Sequence, residues 1–214
     1  IWLNHGMTTN SFGVQVADLK KILKRTKKDH VLAQQLWDTG YSDAQYLAGL
    51  MADEKQATAS MCQHWAETAS WHMVAEFSVA LITAESGNAW SLGRKWIDDP
   101  RELVAAAGWG GLSSHVANTP DSKLDIEGLR MLLRRVASTI HGEQNRVRST
   151  MNGFMIAVGS FVEPLSAEAK QVGFDVGKVF VDVGNTSCKV HFAPEQIDKV
   201  LARGPFKKRA SFRC

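Results

Sequence analysis

Asp18-Leu19-Lys20-Lys21-Ile22-Leu23-Lys24-Arg25-Thr26-Lys27-Lys28 sets the pattern that runs through the chain. Leu19, Ile22 and Leu23 recur at the three- and four-residue spacing that places side chains on one side of a helix. Lys20, Lys21, Lys24, Arg25, Lys27 and Lys28 fill an opposite arc of roughly 160°, at about 100° of rotation per residue. This stretch predicts a helix with one face for the core and one cationic face. The same periodicity continues outward, and alternating strand patterns are nearly absent, so the chain reads as all-α. Helices are expected over about 30–38, 42–51, 58–67 and 70–84, with Ser42 and Thr58 as N-caps. Asp99-Pro100 offers a cap followed by proline at a first helical position, opening a helix to about Val116. Asp125 caps another, with Ile126, Leu129, Leu132, Leu133, Val136 and Ile140 on one side and Arg130, Arg134 and Arg135 on the other. Long helices follow over about 145–161 and 165–172. Beyond them lie an extended or strand-like piece from Lys178 to Gly184, a turn at Gly184-Asn185, a short helix from Pro194 to Arg203 and a basic tail.

A chain of 214 residues with 44% hydrophobic content can bury one sizeable core. Residues 1–214 are expected to form a single domain, with 178–214 as its irregular end. Short connections make consecutive helices antiparallel neighbours, as in a solenoid of stacked pairs. Because the pairs resemble one another only weakly, composition leaves an irregular bundle open as well. Cys62, Cys188 and Cys214 are odd in number and widely spaced, which suggests neither a disulfide framework nor a zinc site and fits a cytoplasmic setting. No apolar run approaches the roughly 20 residues of a membrane span. Ile1 is neither an initiator methionine nor the start of a signal-peptide pattern, so native sequence is expected before it. No metal, cofactor or membrane partner is expected, and the oligomeric state stays open.

The formal charge of +3 decides little, but its distribution says more. The first helix holds six cations; Lys199, Arg203, Lys207, Lys208, Arg209 and Arg213 follow one another without an acid; Arg130, Arg134, Arg135, Arg146 and Arg148 form a third group. One such run is what a solvated face looks like, whereas three in a small domain point to a polyanion.

Longer stretches carry a specific resemblance. Phe12-Gly13-Val14-Gln15-Val16-Ala17-Asp18-Leu19-Lys20-Lys21-Ile22 is similar to the opening helix of the AlkC/AlkD-like DNA alkylation repair family, and Asp29-His30-Val31-Leu32-Ala33-Gln34-Gln35-Leu36-Trp37 to its second. Asn145-Arg146-Val147-Arg148-Ser149-Thr150-Met151-Asn152-Gly153-Phe154 and Asp182-Val183-Gly184-Asn185-Thr186-Ser187-Cys188-Lys189-Val190 resemble motifs of one branch of that family. The resemblance implies a HEAT-like αα-superhelix whose concave face holds duplex DNA, alkylated or structurally distorted. The family hydrolyses the N-glycosidic bond of alkylated purines, which requires a carboxylate beside an oxocarbenium-like sugar, aromatic faces against sugar and cationic base, and an arginine on phosphate.

Laid on that pattern, Ala69-Ser70-Trp71-His72-Met73-Val74-Ala75-Glu76-Phe77 reads as the central helix with its catalytic aspartate replaced. Trp71 falls where the aromatic wall begins, but the aspartate position is Ala75. The expected arginine falls at Ala106, the second tryptophan at Gly153, and an arginine of the third helix at Gln45. His72 and Glu76 share a helix face and offer three readings: a general acid and base, two metal ligands, or a hydrogen-bonded structural pair. Trp37, Trp65, Trp90 and Trp96 read as core, and Gly108, Gly110 and Gly111 as sites of close approach by a neighbouring helix.

DNA contacts are expected from Lys20, Lys24, Lys27, Trp71, Arg146, Arg148, Asn152, Lys207, Lys208 and Arg209. Asn145, Arg148 and Asn152 lie within about 60° on a helical wheel, a stripe suited to phosphate or a base edge, although Asn145 equally suits a cap. The leading expectation is DNA binding through backbone contacts with little or no base excision. An active alkylpurine glycosylase using Glu76 or His72, and a protein-binding helical scaffold, are the alternatives.

Overall fold

The computed structural model describes Met7 and residues 10–211. Among the described residues there is no strand, and α-helices follow one another as α1 Val16–Thr26, α2 His30–Asp38, α3 Ser42–Met51, α4 Ala59–Thr68, α5 Ala80–Glu85, α6 Ala89–Trp96, α7 Glu102–Asn118, α8 Ile126–Thr139, α9 Asn145–Phe161, α10 Ser166–Val176 and α11 Ala193–Leu201. A π-helical segment, Val74–Val79, leads directly into α5.

Side chains start several of these helices. Asp29 accepts the Leu32 amide at 2.9 Å, Thr58 the Met61 amide at 3.2 Å and Asp125 the Gly128 amide at 2.8 Å, each serving an N–H that has no intrahelical partner. Two expected starts differ. Ser42 is the first residue of α3 rather than its cap, and its hydroxyl lies 2.8 Å from that of Ser70. Asp99 does not open α7, which begins at Glu102; its carboxylate instead takes the Arg101 amide and guanidinium, both at 2.9 Å.

The helices form two rows. Consecutive members of the inner row, α1, α3, the π-segment with α5, α7, α9 and α11, pack directly on one another, and α2, α4, α6, α8 and α10 cover their other side. The inner row is close because small residues line its seams. A Cβ at Gly49 would overlap Ser78, and one at Gly110 would lie 3.1 Å from the Ala80 Cβ. Gly108 similarly meets the Gly93 carbonyl of α6 at 3.0 Å, so helix packing accounts for Gly108 and Gly110. Tight inner seams curve the stack toward the inner row and make it the αα-superhelix rather than an irregular bundle.

Buried Trp37 and Trp65 stack with centroids 4.1 Å apart, and Trp109 meets Phe154 edge-on at 5.2 Å between α7 and α9. Trp96 is buried as expected, whereas Trp90 is only partly so, lying under Arg94 and beside His115. Residues 177–192 run extended but join no strand. The Asn145 amide donates to the Asp182 carbonyl at 2.8 Å and accepts the Asp182 amide at 2.7 Å; Asn152 donates to the His191 carbonyl at 3.0 Å. No described helix is long and apolar enough to cross a membrane.

Candidate nucleic-acid interface

α1 presents its cations much as its pattern implies. Lys20, Lys24 and Lys27 are exposed along one stripe, while Lys21 pairs with Asp18 at 2.8 Å and Lys28 with Glu54 at 2.6 Å. Ile22 is not core as expected: it is 40% exposed, because α1 is the first described helix of the row and no described helix covers its other side. Lys27 stands on the wall of a concavity of about 890 Å³ lined by Leu23, Leu50, Ala84, Asn118 and Ser211 and by Lys28, Glu54 and Glu85, so its two lysines are balanced by two carboxylates. One cation of the stripe therefore borders the hollow that the inner helices enclose.

The polar centre of the inner row is Glu76, whose side chain is 11% exposed. Both its oxygens are taken by Arg146, with Nε at 2.7 Å and Nη2 at 2.8 Å. The Arg146 backbone amide donates to Glu102 at 2.7 Å, so the first turns of α7 and α9 and the π-segment meet in one network. Burial pushes the Glu76 carboxyl above its usual range; hydrogen bonds from Arg146 pull it down, and the Glu102 charge adds to the rise. Protonated or ion-paired, Glu76 offers no free negative charge. His72 Nδ1 stands 3.7 Å from the Glu76 carboxylate, too far for a hydrogen bond, so the expected His72–Glu76 hydrogen-bonded pair is replaced by an Arg146–Glu76 pair. Among the described residues, no three His, Cys, Asp or Glu side chains gather as a metal ion would require.

The expected catalytic positions do not open onto a substrate. Ala75 and Ala106 are both fully buried, and Trp71 is 7% exposed with its ring edge-on to His72 at 4.9 Å, so it is a packed side chain rather than an open aromatic wall. Gln45 is buried too, donating to the Thr68 carbonyl at 3.1 Å and accepting the Ser70 amide at 3.0 Å. Gly153 differs, since a Cβ there would meet nothing within 4 Å.

The other two basic groups disperse. Arg130 bonds Glu127 and Glu168, and Arg135 bonds Asp98 at 2.6 Å while lying over Trp109; both belong to the outer row, where only Arg134 of the three is fully exposed. Three residues expected on DNA are held within the chain instead: Arg146 by Glu76, Asn152 by the His191 carbonyl, and Lys208 by three oxygens. Lys208 Nζ donates to the carbonyls of Val116 at 2.8 Å and Phe161 at 2.6 Å, and pairs with Asp121 at 2.7 Å. Those carbonyls belong to the last turns of α7 and α9, where the helix dipole favours a cation. Arg209 continues the tail, its amide on the Ala117 carbonyl at 2.8 Å and its guanidinium over Phe161, and Ser211 reaches Glu85. Arg148, in the first turn of α9, and Lys208, at its last residue, stand about 20 Å apart along the helix, so they share no patch. Lys207 and Arg209 remain exposed; Arg148 is partly buried beside Asn145. Cys188 is exposed and Cys62 buried, while Cys214 and Arg213 lie outside the described residues.

Sequence reasoning missed Phe77. It is 43% exposed on the π-segment, although Val74, Ala75, Val79 and Ile82 around it are fully buried. It stood in the same apolar series as Val74 and Ile82, and only the placing of neighbouring helices shows which of them goes uncovered.

Comparison with known proteins agrees with this architecture. A family model described as DNA alkylation repair enzyme matches residues 5–168. The uncharacterized proteins Lin0241 of Listeria innocua and Lmo0209 of Listeria monocytogenes are each 34% identical over 209 residues, covering 95% of this chain and 90% of theirs. A solved structure described as "A new family of proteins related to the HEAT-like repeat DNA glycosylases with affinity for branched DNA structures" superposes with a TM-score of 0.87 at 33% identity, over 100% of this chain and 91% of that one. The buried alanines, the internally paired Glu76 and the stacked helix pairs thus belong to a chain that is a member of the DNA alkylation repair enzyme family.

Proposed function

We propose that this protein binds DNA through its phosphate backbone, prefers branched over linear duplex, and performs little or no base excision. The observation that carries the reading is the bidentate Arg146–Glu76 pair, at 2.7 and 2.8 Å. A glycosylase needs a negative group where the departing base leaves its sugar electron-poor, and removing one electrostatic stabiliser of this kind costs on the order of 100- to 1000-fold in rate. Here the only carboxylate of the central helix segment 69–77 is tied to a guanidinium, and the aspartate position is a buried alanine. Phosphate binding needs no such group, only cations spaced along a complementary surface.

The preference for branched DNA rests on the solved relative with that affinity, at 33% identity over the whole of this chain. The contact set consists of the exposed Lys20, Lys24, Lys27, Lys207 and Arg209 with the partly buried Arg148; the less accessible Arg146, Asn152 and Lys208 leave it because hydrogen bonds inside the chain hold them away from a ligand. Three scattered cysteines suit a cytoplasmic location for such a protein.

The excision half is tested by incubating the purified chain with alkylated duplex and alkylated four-way junction DNA and measuring released 7-methylguanine and 3-methyladenine. Release at the uncatalysed background rate is expected. Robust turnover that disappears in Glu76→Gln would replace this reading with an active glycosylase.

A further inference from the structure

We propose that Phe77 is the residue by which this protein distinguishes a branch point from continuous duplex, its ring stacking on a nucleobase left unstacked where the strands part. This rests on the DNA-binding reading above and names the side chain that would give it selectivity.

The placing of Phe77 follows from its neighbours. Ala75 and Val79 turn into the core against the outer helices. On one flank the backbone of Glu76 lies against Gly110 of α7, and on the other Ser78 lies against Gly49 of α3. Three sides of the segment are therefore occupied, and Phe77, at 43% exposure, takes the uncovered fourth. The backbone around it is irregular as well: the Ala80 amide reaches back to the Ala75 carbonyl, the five-residue span of a π-turn. Such turns are frequent at functional positions. An aromatic ring held open at mid-helix by an unusual turn is not explained by packing, since the core already closes beneath it.

The surroundings suit a nucleic acid. Lys20, Lys24 and Lys27 of α1 stand two helices away, about 16–20 Å at ordinary interhelical spacing, exposed along one stripe; Phe77 itself does not line the concavity that Lys27 borders with Glu54 and Glu85. Phosphates held by that stripe would place a strand across α3 with its bases toward the π-segment. On the far side of Phe77 the surface is low, because Gly110 and Gly153 have no side chains and a Cβ at Gly153 would meet nothing within 4 Å. A continuous duplex keeps its bases paired and stacked, leaving the ring no face to cover. At an open branch point, whose arms are not stacked end on end, the terminal base faces are available, and an aromatic ring binds any base in this way regardless of sequence.

The test compares Phe77→Ala and Phe77→Trp with the unaltered chain, by fluorescence anisotropy on a four-way junction and on a linear duplex of equal length, with 2-aminopurine at the branch. Phe77→Ala is expected to weaken junction binding about tenfold, the scale of one lost base–aromatic stack, and to leave duplex binding within error at a temperature well below the midpoint of every variant. Phe77→Trp should keep junction affinity, and the 2-aminopurine signal should change on binding for the unaltered and Trp chains but not for the Ala chain. Equal weakening on both DNAs, or no weakening on either, overturns the assignment while DNA binding stands. If the unaltered chain binds neither DNA, the underlying reading fails first, and with it this one.

Discussion

The Arg146–Glu76 pair joins residues 70 positions apart, which is why neither appeared in its final role from the sequence. Arg146 read as one of a run of arginines and Glu76 as the partner of His72 four residues before it; local spacing favours both readings, and only the stacking of α9 beside α7 brings the true partner within reach. Removing one member of a buried pair leaves the other charge uncompensated, at a cost of about 3–5 kcal/mol. Arg146→Met should therefore lower stability by roughly that amount at neutral pH, whereas the double change with Glu76→Gln should recover a large part of it. The pH dependence has a definite sign. Burial already raises the Glu76 carboxyl above its ordinary value of 4.5, and losing Arg146 raises it further. In Arg146→Met the folded state then holds a proton that the unfolded state releases near 4.5, so stability is retained in acid and lost as pH rises through the folded value. Urea unfolding at pH 5 and pH 8 checks this: the deficit against the unaltered chain should be smaller at pH 5.

Among the elements, the helices were legible and their interruptions were not. Predicted spans for α2, α3 and α9 match because apolar periodicity and caps are local properties of a few turns. The π-turn at Val74–Val79 escaped, since no local spacing of its residues marks it; Gly49 and Gly110 lie against its two flanks. Residues 178–184 read as an extended or strand-like piece; they join no strand and are held instead, with the stretch to 192, by side chains of α9. Asn145→Ala removes both bonds to Asp182 and should cost about 1–2 kcal/mol locally. Hydrogen exchange should then accelerate across 178–192 while the protection of α9 stays unchanged; acceleration throughout α9 would instead make Asn145 part of the helix scaffold.

Across the whole molecule, the family resemblance carried more of the architecture than composition did. Helix content was readable, but whether the helices form a curved stack depended on inner-row seams such as Gly49 against Ser78 and Gly110 against Ala80. The basic tail shows the reverse limit: Lys207-Lys208-Arg209 reads as one cationic run, yet its middle member closes the ends of α7 and α9. Lys208→Met should reduce stability by about 2 kcal/mol, the scale of a charge-assisted hydrogen-bond set, with DNA affinity unchanged once the protein is folded; a selective loss of DNA binding would return Lys208 to the interface. The two core clusters meet at α6 and α7, through Trp96 and Val104 in one and Ile97 and Ala105 in the other. One cooperative transition is accordingly expected, with far-ultraviolet dichroism and tryptophan fluorescence coinciding along a urea titration.

The most direct measurement is the affinity for a four-way junction against a linear duplex across a salt series, with Lys20→Gln/Lys24→Gln/Lys27→Gln alongside. A protein that grips branched DNA by phosphate should bind the junction more tightly, lose affinity linearly in log salt, and show a slope shallower by about 2–3 in the triple variant. Equal affinity for both DNAs, or binding indifferent to salt and to the three lysines, would contradict the account.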